Sequence, residues 1–347
     1  MENKSIFEDF STVLVQGEDK SYNTKLVHNL IEIHEKTNKK SFSINNLESK
    51  GRLKTLVLHK SYSYEHLIES KETNGNINNG IVKDLCISSS LEIIKSSVNK
   101  KLSSFITHSS KVWKVSLGYR KTEERIYKEA KKNKEICVGW LENESLEGKS
   151  YDEIYIMLQA RRGNDEPKLT YDATSIYSLT GEMKKGDFVC IYDDKSKLTD
   201  IGIVTSDYFY DEFSPYPHKR KISWLKEFKT PIDLSDFDKN IRIGLKTIYE
   251  LNDLDFAYIR EILDLELKNN NISLYYLILE NIEKINLYDL LGEFSYLIKK
   301  ENRDKNRVVL MNSKKTFSIP PNLIIIGTFS GNIEDKFLQD NFKIIST

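Results

Sequence analysis

Ser11-Thr12-Val13-Leu14-Val15-Gln16-Gly17-Glu18-Asp19-Lys20-Ser21-Tyr22-Asn23-Thr24 is the stretch that decides how this chain is read. Residues 11–16 are a short β-branched run, which predicts a strand. Leu26, Leu30 and Ile33 then fall at helical spacing within a pattern over residues 22–36. The chain therefore opens as α/β.

Working outward, residues 53–59 predict a second strand, 71–80 a polar Gly/Asn-rich loop or hairpin, and 81–95 a helix. A Ser/Lys-rich stretch over 96–111 marks a boundary. The character then changes: residues 112–228 are rich in Trp and Tyr and alternate in short runs. Strands are expected at 112–116, 136–140, 187–192, 199–207 and 218–224, with helices at 122–132 and 150–159. That pattern predicts a small β-barrel. From Asp233 the chain returns to α/β: a helical region over 242–268, a buried strand at 274–279, a helix over 287–299, a hairpin near 307–317, and a strand at 323–327 fed by Pro320-Pro321. The expected organisation is one α/β domain made of residues 1–110 and 229–347, interrupted by an inserted domain over 111–228.

Composition narrows the function classes. The chain has 347 residues, with 52 Lys+Arg against 52 Asp+Glu, so a uniformly basic nucleic-acid binder is excluded and any such site must be a local patch. At 39% hydrophobic and 30% charged it is an ordinary globular composition. Cys86, Cys137 and Cys190 are scattered without metal-ligand spacing, which fits a reducing compartment. The first ten residues carry no apolar h-region and the longest apolar runs are strand-sized, so a cytoplasmic protein without a membrane segment is expected.

Four stretches taken in order resemble the AAA+ GTPase core of the McrB family, the motor of modification-dependent restriction systems. Residues 13–24 occupy the place of the family's strand, GxxxxGK[ST] and YNT. His59-Lys60-Ser61-Tyr62-Ser63-Tyr64-Glu65 with Gly80-Ile81-Val82-Lys83-Asp84-Leu85-Cys86 resembles its HxSYSYEDF…GxFKxLC segment. Ile278-Leu279-Glu280-Asn281-Ile282-Glu283-Lys284 with Leu291-Gly292-Glu293 resembles IIDEINR…FGE. Ile319-Pro320-Pro321-Asn322-Leu323-Ile324-Ile325-Ile326-Gly327-Thr328-Phe329-Ser330 is similar to VPPNLYIIGTMN. The resemblance covers most of residues 11–95 and 242–345 and implies a three-layer αβα core.

The departures from the family bear on activity. Only Glu18 and Asp19 separate Gly17 from Lys20, where a phosphate loop needs five residues to aim its backbone N–H groups at one anion. Two carboxylates stand where a polyanion should sit. Lys20 and Ser21 remain. Glu280 replaces the Mg²⁺-organising Asp, Asn281 replaces the general base, and Ser330 stands at the sensor position. Residues 335–342 resemble DxALRRRF with every arginine gone, and an arginine finger contributes roughly 10³–10⁵ in rate in related NTPases. With Thr347 reached so soon, the helical lid is expected to be missing. The resemblance with these losses implies a degenerate AAA+ core, a pseudoenzyme with no catalytic residues and no cofactor.

The block over 111–228 resembles the EVE-like (PUA/ASCH-superfamily) readers of modified bases. The resemblance is carried by Val112-Trp113-Lys114-Val115-Ser116-Leu117-Gly118, Ile136-Cys137-Val138-Gly139-Trp140, Met183-Lys184-Lys185-Gly186-Asp187-Phe188-Val189, residues 202–210 and residues 214–225. Reading a modified base requires taking it out of the stack into a closed pocket. Such a pocket needs aromatic walls, each worth ~1–3 kcal/mol of stacking, and a few polar groups for the base edge. Trp140, Tyr177, Tyr208, Tyr210 and Tyr216 are the candidate walls; Thr174, Ser175 and Asp207 are the candidate edge contacts. The basic run His218, Lys219, Arg220 and Lys221, with Arg161 and Arg162, is the candidate phosphate contact. Each has a bland counterpart. Trp113 and Trp224 read as core, Trp140 equally as pocket or core, Tyr208 and Tyr210 equally as wall or strand packing, and the basic run also as a solvated turn.

The expected function is a non-catalytic McrB-like specificity or regulatory subunit of a prokaryotic anti-phage restriction system. It would bind DNA with a modified base, such as a methylated cytosine, by base flipping. Expected partners are active McrB-type GTPase subunits or their nuclease partner, in a hetero-oligomer. The alternative is a DNA-independent partner that gates or inhibits an active McrB-type ring.

Overall fold

The computed structural model describes residues 5–37, 43–118, 120–193, 196–236, 241, 243–252, 254–265, 272–304 and 306–347. The chain divides into two compact units, one built from Met1–Ser97 with Phe256–Thr347 and the other from Val98–Asp255. It is a mixed α/β structure. Among the described residues, no helix is long and apolar enough to cross a membrane.

The first unit is organised by a five-stranded sheet in the order Lys343–Ser346, Thr12–Gln16, Leu323–Phe329, Tyr275–Glu280, Leu53–Val57, and every pairing is parallel. Its inner strands are near-continuous apolar runs because both faces are covered. Val13, Val15, Ile278 and Ile326 pack with Val27 and Ile31 of the helix Lys20–Thr37. The alternating residues Leu14, Leu277, Leu279 and Ile325 point the other way, onto Leu85 and Cys86 of the helix Ile81–Ser97 and onto Leu290 and Phe294. The polar stretch after residue 68 is a small hairpin, Glu69–Lys71 with Ile77–Asn79.

The second unit holds a seven-stranded, curled half-barrel sheet. Its path runs Ile248–Glu250, Val112–Ser116, Phe188–Tyr192, Leu198–Val204, His218–Ile232, Glu135–Val138, with Phe209–Tyr210 also paired to His218–Ile232. Helices Arg120–Asn133, Tyr151–Arg162 and Lys168–Tyr177 belong to the same unit. Asp187, buried, accepts from the Lys111 backbone N–H at 3.0 Å, the Lys184 N–H at 2.9 Å and the Trp113 indole N–H at 2.8 Å. This carboxylate ties the starts of two neighbouring strands to the largest core side chain.

Three expectations are corrected. The helical region over 242–268 is instead the strand Ile248–Glu250 and the short helix Phe256–Ile262, with Arg242 and residues 266–271 outside the described residues. The β-branched and aromatic run Thr247-Ile248-Tyr249 finds the Val112–Ser116 strand as a partner, and sheet pairing overrides helical periodicity. Consequently the second unit extends past residue 228 to Asp255. The helix over 287–299 stops at Leu291, because Gly292 takes φ +54°, and continues as a 3₁₀ segment, Gly292–Leu297. Residues 168–177, left without an element in the sequence reading, are helical.

Asp187→Ala leaves the buried Trp113 indole N–H and two partly buried backbone N–H groups without their acceptor and should cost on the order of 3 kcal/mol in urea unfolding followed in the second unit. Lys185→Ala, which removes only the exposed pair with Asp207, should cost less than about 1 kcal/mol.

Candidate functional site

The second unit contains a cavity of about 620 Å³. Its volume lies within the ~300–1,000 Å³ usual for small-ligand sites. Six segments converge on it: residues 114–118, the first turns of the helix Arg120–Asn133, the end of the Glu135–Val138 strand with residues 139–140, Asp193 and Ser196, the 215–216 turn, and the loop at 244–247. Trp140 and Tyr216 supply aromatic surface. Tyr216 can approach the end of the Glu135–Val138 strand because Gly139 has no side chain: a Cβ there would lie 2.8 Å from the Tyr216 ring and 3.0 Å from the Pro215 carbonyl oxygen. The backbone at Gly139 is therefore pressed against the Tyr216 ring.

The polar lining comes from Lys114, Ser116, Glu123, Asp193 and Thr247. Lys114 is the unusual member. It is only 4% exposed, its ammonium donates to the Lys246 carbonyl oxygen, and it lies 5.8 Å from the centre of the Tyr249 ring. Burial pulls its pKa down to about 8. Cys137 also lines the cavity, but burial pushes its thiol up to about 12, so it is no nucleophile at neutral pH. No group of three or more His, Cys, Asp or Glu side chains among the described residues is placed to hold a metal ion.

Of the expected pocket residues, the structure brings Trp140 and Tyr216 to the cavity and places the others elsewhere. Thr174 and Ser175 lie on the helix Lys168–Tyr177, where each hydroxyl bonds back to the carbonyl one turn earlier, at Thr170 and Tyr171. Ser175 also accepts from the Ile248 N–H at 3.1 Å, which pins the edge strand. The Tyr177 ring packs over Gly181 and meets Tyr151 edge-on. Asp207 pairs with Lys185. Tyr208 bonds His218 Nδ1 at 2.8 Å and accepts from the Leu146 N–H, while Tyr210 donates to the Glu142 carbonyl at 2.7 Å. These two tyrosines brace the loop at 141–146.

The basic run begins a strand, where the strand at 218–224 is expected, and its side chains are engaged within the protein. His218 is buried, with Nε2 3.2 Å from the Leu141 carbonyl oxygen, and burial holds its pKa below the ordinary value. Lys219 is enclosed between Asp211 at 2.8 Å and Glu135 at 3.3 Å; Lys221 pairs with Glu135. The Arg220 guanidinium is buried and donates to the carbonyls of Leu179, Thr180 and Ser206. Arg161 pairs with Glu142 and Arg162 with Asp172. The partners come from other strands and loops, which a run of consecutive letters does not disclose.

In the first unit, the expected degenerate nucleotide residues gather at the carboxyl end of the parallel sheet, the usual ligand edge of α/β folds. Lys20 Nζ donates to Asn281 Oδ1 at 2.8 Å and Glu283 Oε1 at 2.7 Å. Glu283 Oε2 accepts from the Ser330 N–H at 3.3 Å, and Glu280 accepts from the Thr24 hydroxyl at 2.8 Å. Burial alone would raise the Glu283 pKa, but the bonds from Lys20 and Ser330 outweigh it and leave the carboxyl below its ordinary value. Gly17 has no room for a side chain against Thr347 and Asn23, and Ser21 is exposed on the first turn of the helix. Thr24 and Glu283 complete a cluster for which the sequence reading named only the other members. Lys114, Glu123 and Gly139 were likewise missed; a lysine inside Val-Trp-Lys-Val-Ser is the signal that could have pointed to the first.

Residues 113–252 match the model of a family described as a domain of unknown function (DUF8426). No curated protein matches the chain. Among solved structures, the NMR structure of Rpa0253 from Rhodopseudomonas palustris is similar over 46% of this chain and 97% of that one, at 11% identity and a TM-score of 0.23, and no fold assignment is taken from it.

Two outcomes follow from the cavity. A lysine whose folded pKa lies below its ordinary 10.5 penalises the folded state fully below about pH 8, and the penalty is relieved as pH rises from there past 10.5. Lys114→Met should therefore stabilise the second unit at pH 7 by up to ~3 kcal/mol, with the gain shrinking towards pH 10.5, measured as paired urea titrations. Gly139→Val should displace the Tyr216 ring and shrink the cavity, visible as altered Trp and Tyr near-ultraviolet circular dichroism with the far-ultraviolet spectrum retained.

Proposed function

We propose that this chain is a non-catalytic, McrB-like specificity or regulatory subunit of a prokaryotic anti-phage restriction system, and that its second unit is an EVE-like reader of a modified base everted from DNA. The observation that carries this reading is the cavity walled by Trp140 and Tyr216, since an everted base needs both an enclosed volume and flat apolar surface. One rim feature supports it. Leu245, a residue of the lining, is 90% exposed. Exposed apolar side chains beside a pocket suit insertion into a base step that has lost its occupant.

The first unit is proposed as a degenerate AAA+ core that places the reader in an assembly with active McrB-type subunits or their nuclease. Its lack of turnover is argued from the short 17–20 loop and from Lys20, whose charge is met inside the protein by Glu283 and Asn281 rather than left for a phosphate. A carboxylate at that place competes directly with a polyanion.

A second reading, a DNA-independent partner that gates an active ring, is favoured by one observation: the basic residues 218–221 are engaged within the protein, which removes the expected phosphate contacts. Salt dependence separates the two. Binding through phosphates weakens steeply with salt, whereas a partner or free-ligand site does not follow that law.

Duplexes with and without 5-methylcytosine should be titrated at fixed salt. A preference for the modified duplex of roughly 10- to 200-fold is expected, the range one methyl group can support. Trp140→Ala should abolish it. Equal, negligible binding to every duplex would remove the reader. GTP and ATP titrations should give no saturable signal, and turnover would defeat the pseudoenzyme reading.

A further inference from the structure

We infer that Lys114 is the ligand-reading group of the cavity, and that it selects a neutral planar base with a protruding exocyclic oxygen, of cytosine or another oxo type, against an adenine-type base. The inference rests on the base-reader reading proposed above and names the chemical class that reader takes.

Strand alternation places the residue. Trp113 and Val115 pack into the core of the unit, so Lys114 and Ser116 face the other way, where both line the cavity. Lys114 is nearly enclosed, yet among the described residues no carboxylate pairs with it; its bond goes to the Lys246 carbonyl. Every other enclosed lysine in this unit, Lys219 included, has a carboxylate partner. A buried ammonium without a counter-charge is costly, and a methionine would fill the same space without that cost. An ammonium has three N–H donors and only one is used by Lys246, so a ligand that accepts from the others explains what packing does not.

The identity of the acceptor follows from charge. An anionic ligand would meet Glu123 and Asp193, which line the same cavity, so a neutral one is favoured. Cytosine, thymine and guanine each offer an exocyclic oxygen that takes a charge-assisted bond. Adenine has no exocyclic oxygen: its acceptors are ring nitrogens set back from the edge, and its protruding group is an amine, a donor that the ammonium opposes. The carboxylates at Glu123 and Asp193 further suit a base that also carries an amino group, which points to cytosine or guanine rather than thymine.

The test uses the full chain and calorimetric titration with 5-methyl-2′-deoxycytidine and N6-methyl-2′-deoxyadenosine, each also placed in a duplex. The wild-type protein should bind the cytosine probe at least about 10-fold more tightly than the adenine probe. Lys114→Met should lower cytosine affinity about 10-fold or more, leave adenine affinity unchanged and bring the ratio near one, with a melting temperature no lower than wild type. Equal or tighter adenine binding by the wild-type protein overturns the inference without needing the variant. So does an unchanged ratio in Lys114→Met. If both probes bind without preference, only the inference falls; if no nucleoside or duplex binds at all, the base-reader reading falls with it.

Discussion

The second unit depends on where one carboxylate goes. Asp187 receives two backbone N–H groups and the Trp113 indole, so the Val112–Ser116 and Phe188–Tyr192 strands are locked in one register and Trp113 is committed to the core. Because side chains alternate along a strand, a one-residue slip would exchange the two faces. With Trp113 inside, Lys114 must face the cavity. The register that fills the core is the same one that places a charged group beside Trp140 and Tyr216.

Charge is handled differently in the two units. In the first, Lys20 is matched at close range by Glu283 and Asn281, which joins the start of the helix Lys20–Thr37 to the segment that follows the Tyr275–Glu280 strand. In the second, the consecutive cations Lys219, Arg220 and Lys221 are matched by Asp211, Glu135 and backbone carbonyls, while Lys114 is enclosed with no carboxylate partner among the described residues. Exposed pairs contribute little to stability, but an enclosed and unmatched charge is a standing cost. The contrast between a neutralised run and one unmatched lysine is what directs attention to the cavity.

Much of the architecture was legible in the letters. The runs at 11–16, 274–279 and 323–327 predicted strands, and the strands found there pair side by side in a parallel sheet. The run at 112–116 became a strand with those same bounds. Legibility failed where a segment's state depends on a distant partner. Ile248–Glu250 carries helical spacing yet joins the Val112–Ser116 strand, more than a hundred residues earlier in the chain. The candidate site was legible in the same uneven way. Trp140 and Tyr216 were picked because aromatic residues beside glycine and proline turns suit a pocket; Ser175, Tyr208 and Arg220 suited it equally by type but serve to pin an edge strand, brace a loop and satisfy carbonyls.

By itself, the sequence determined which segments are apolar enough to form strands, that the composition changes near residues 111 and 228, and that only two residues separate Gly17 from Lys20, because periodicity, composition and spacing are local properties. Only the tertiary structure decided which charges are matched and which side chains share a cavity. Those outcomes depend on register and on residues brought together from six separate segments, and distance through space is not written in the order of residues along a chain.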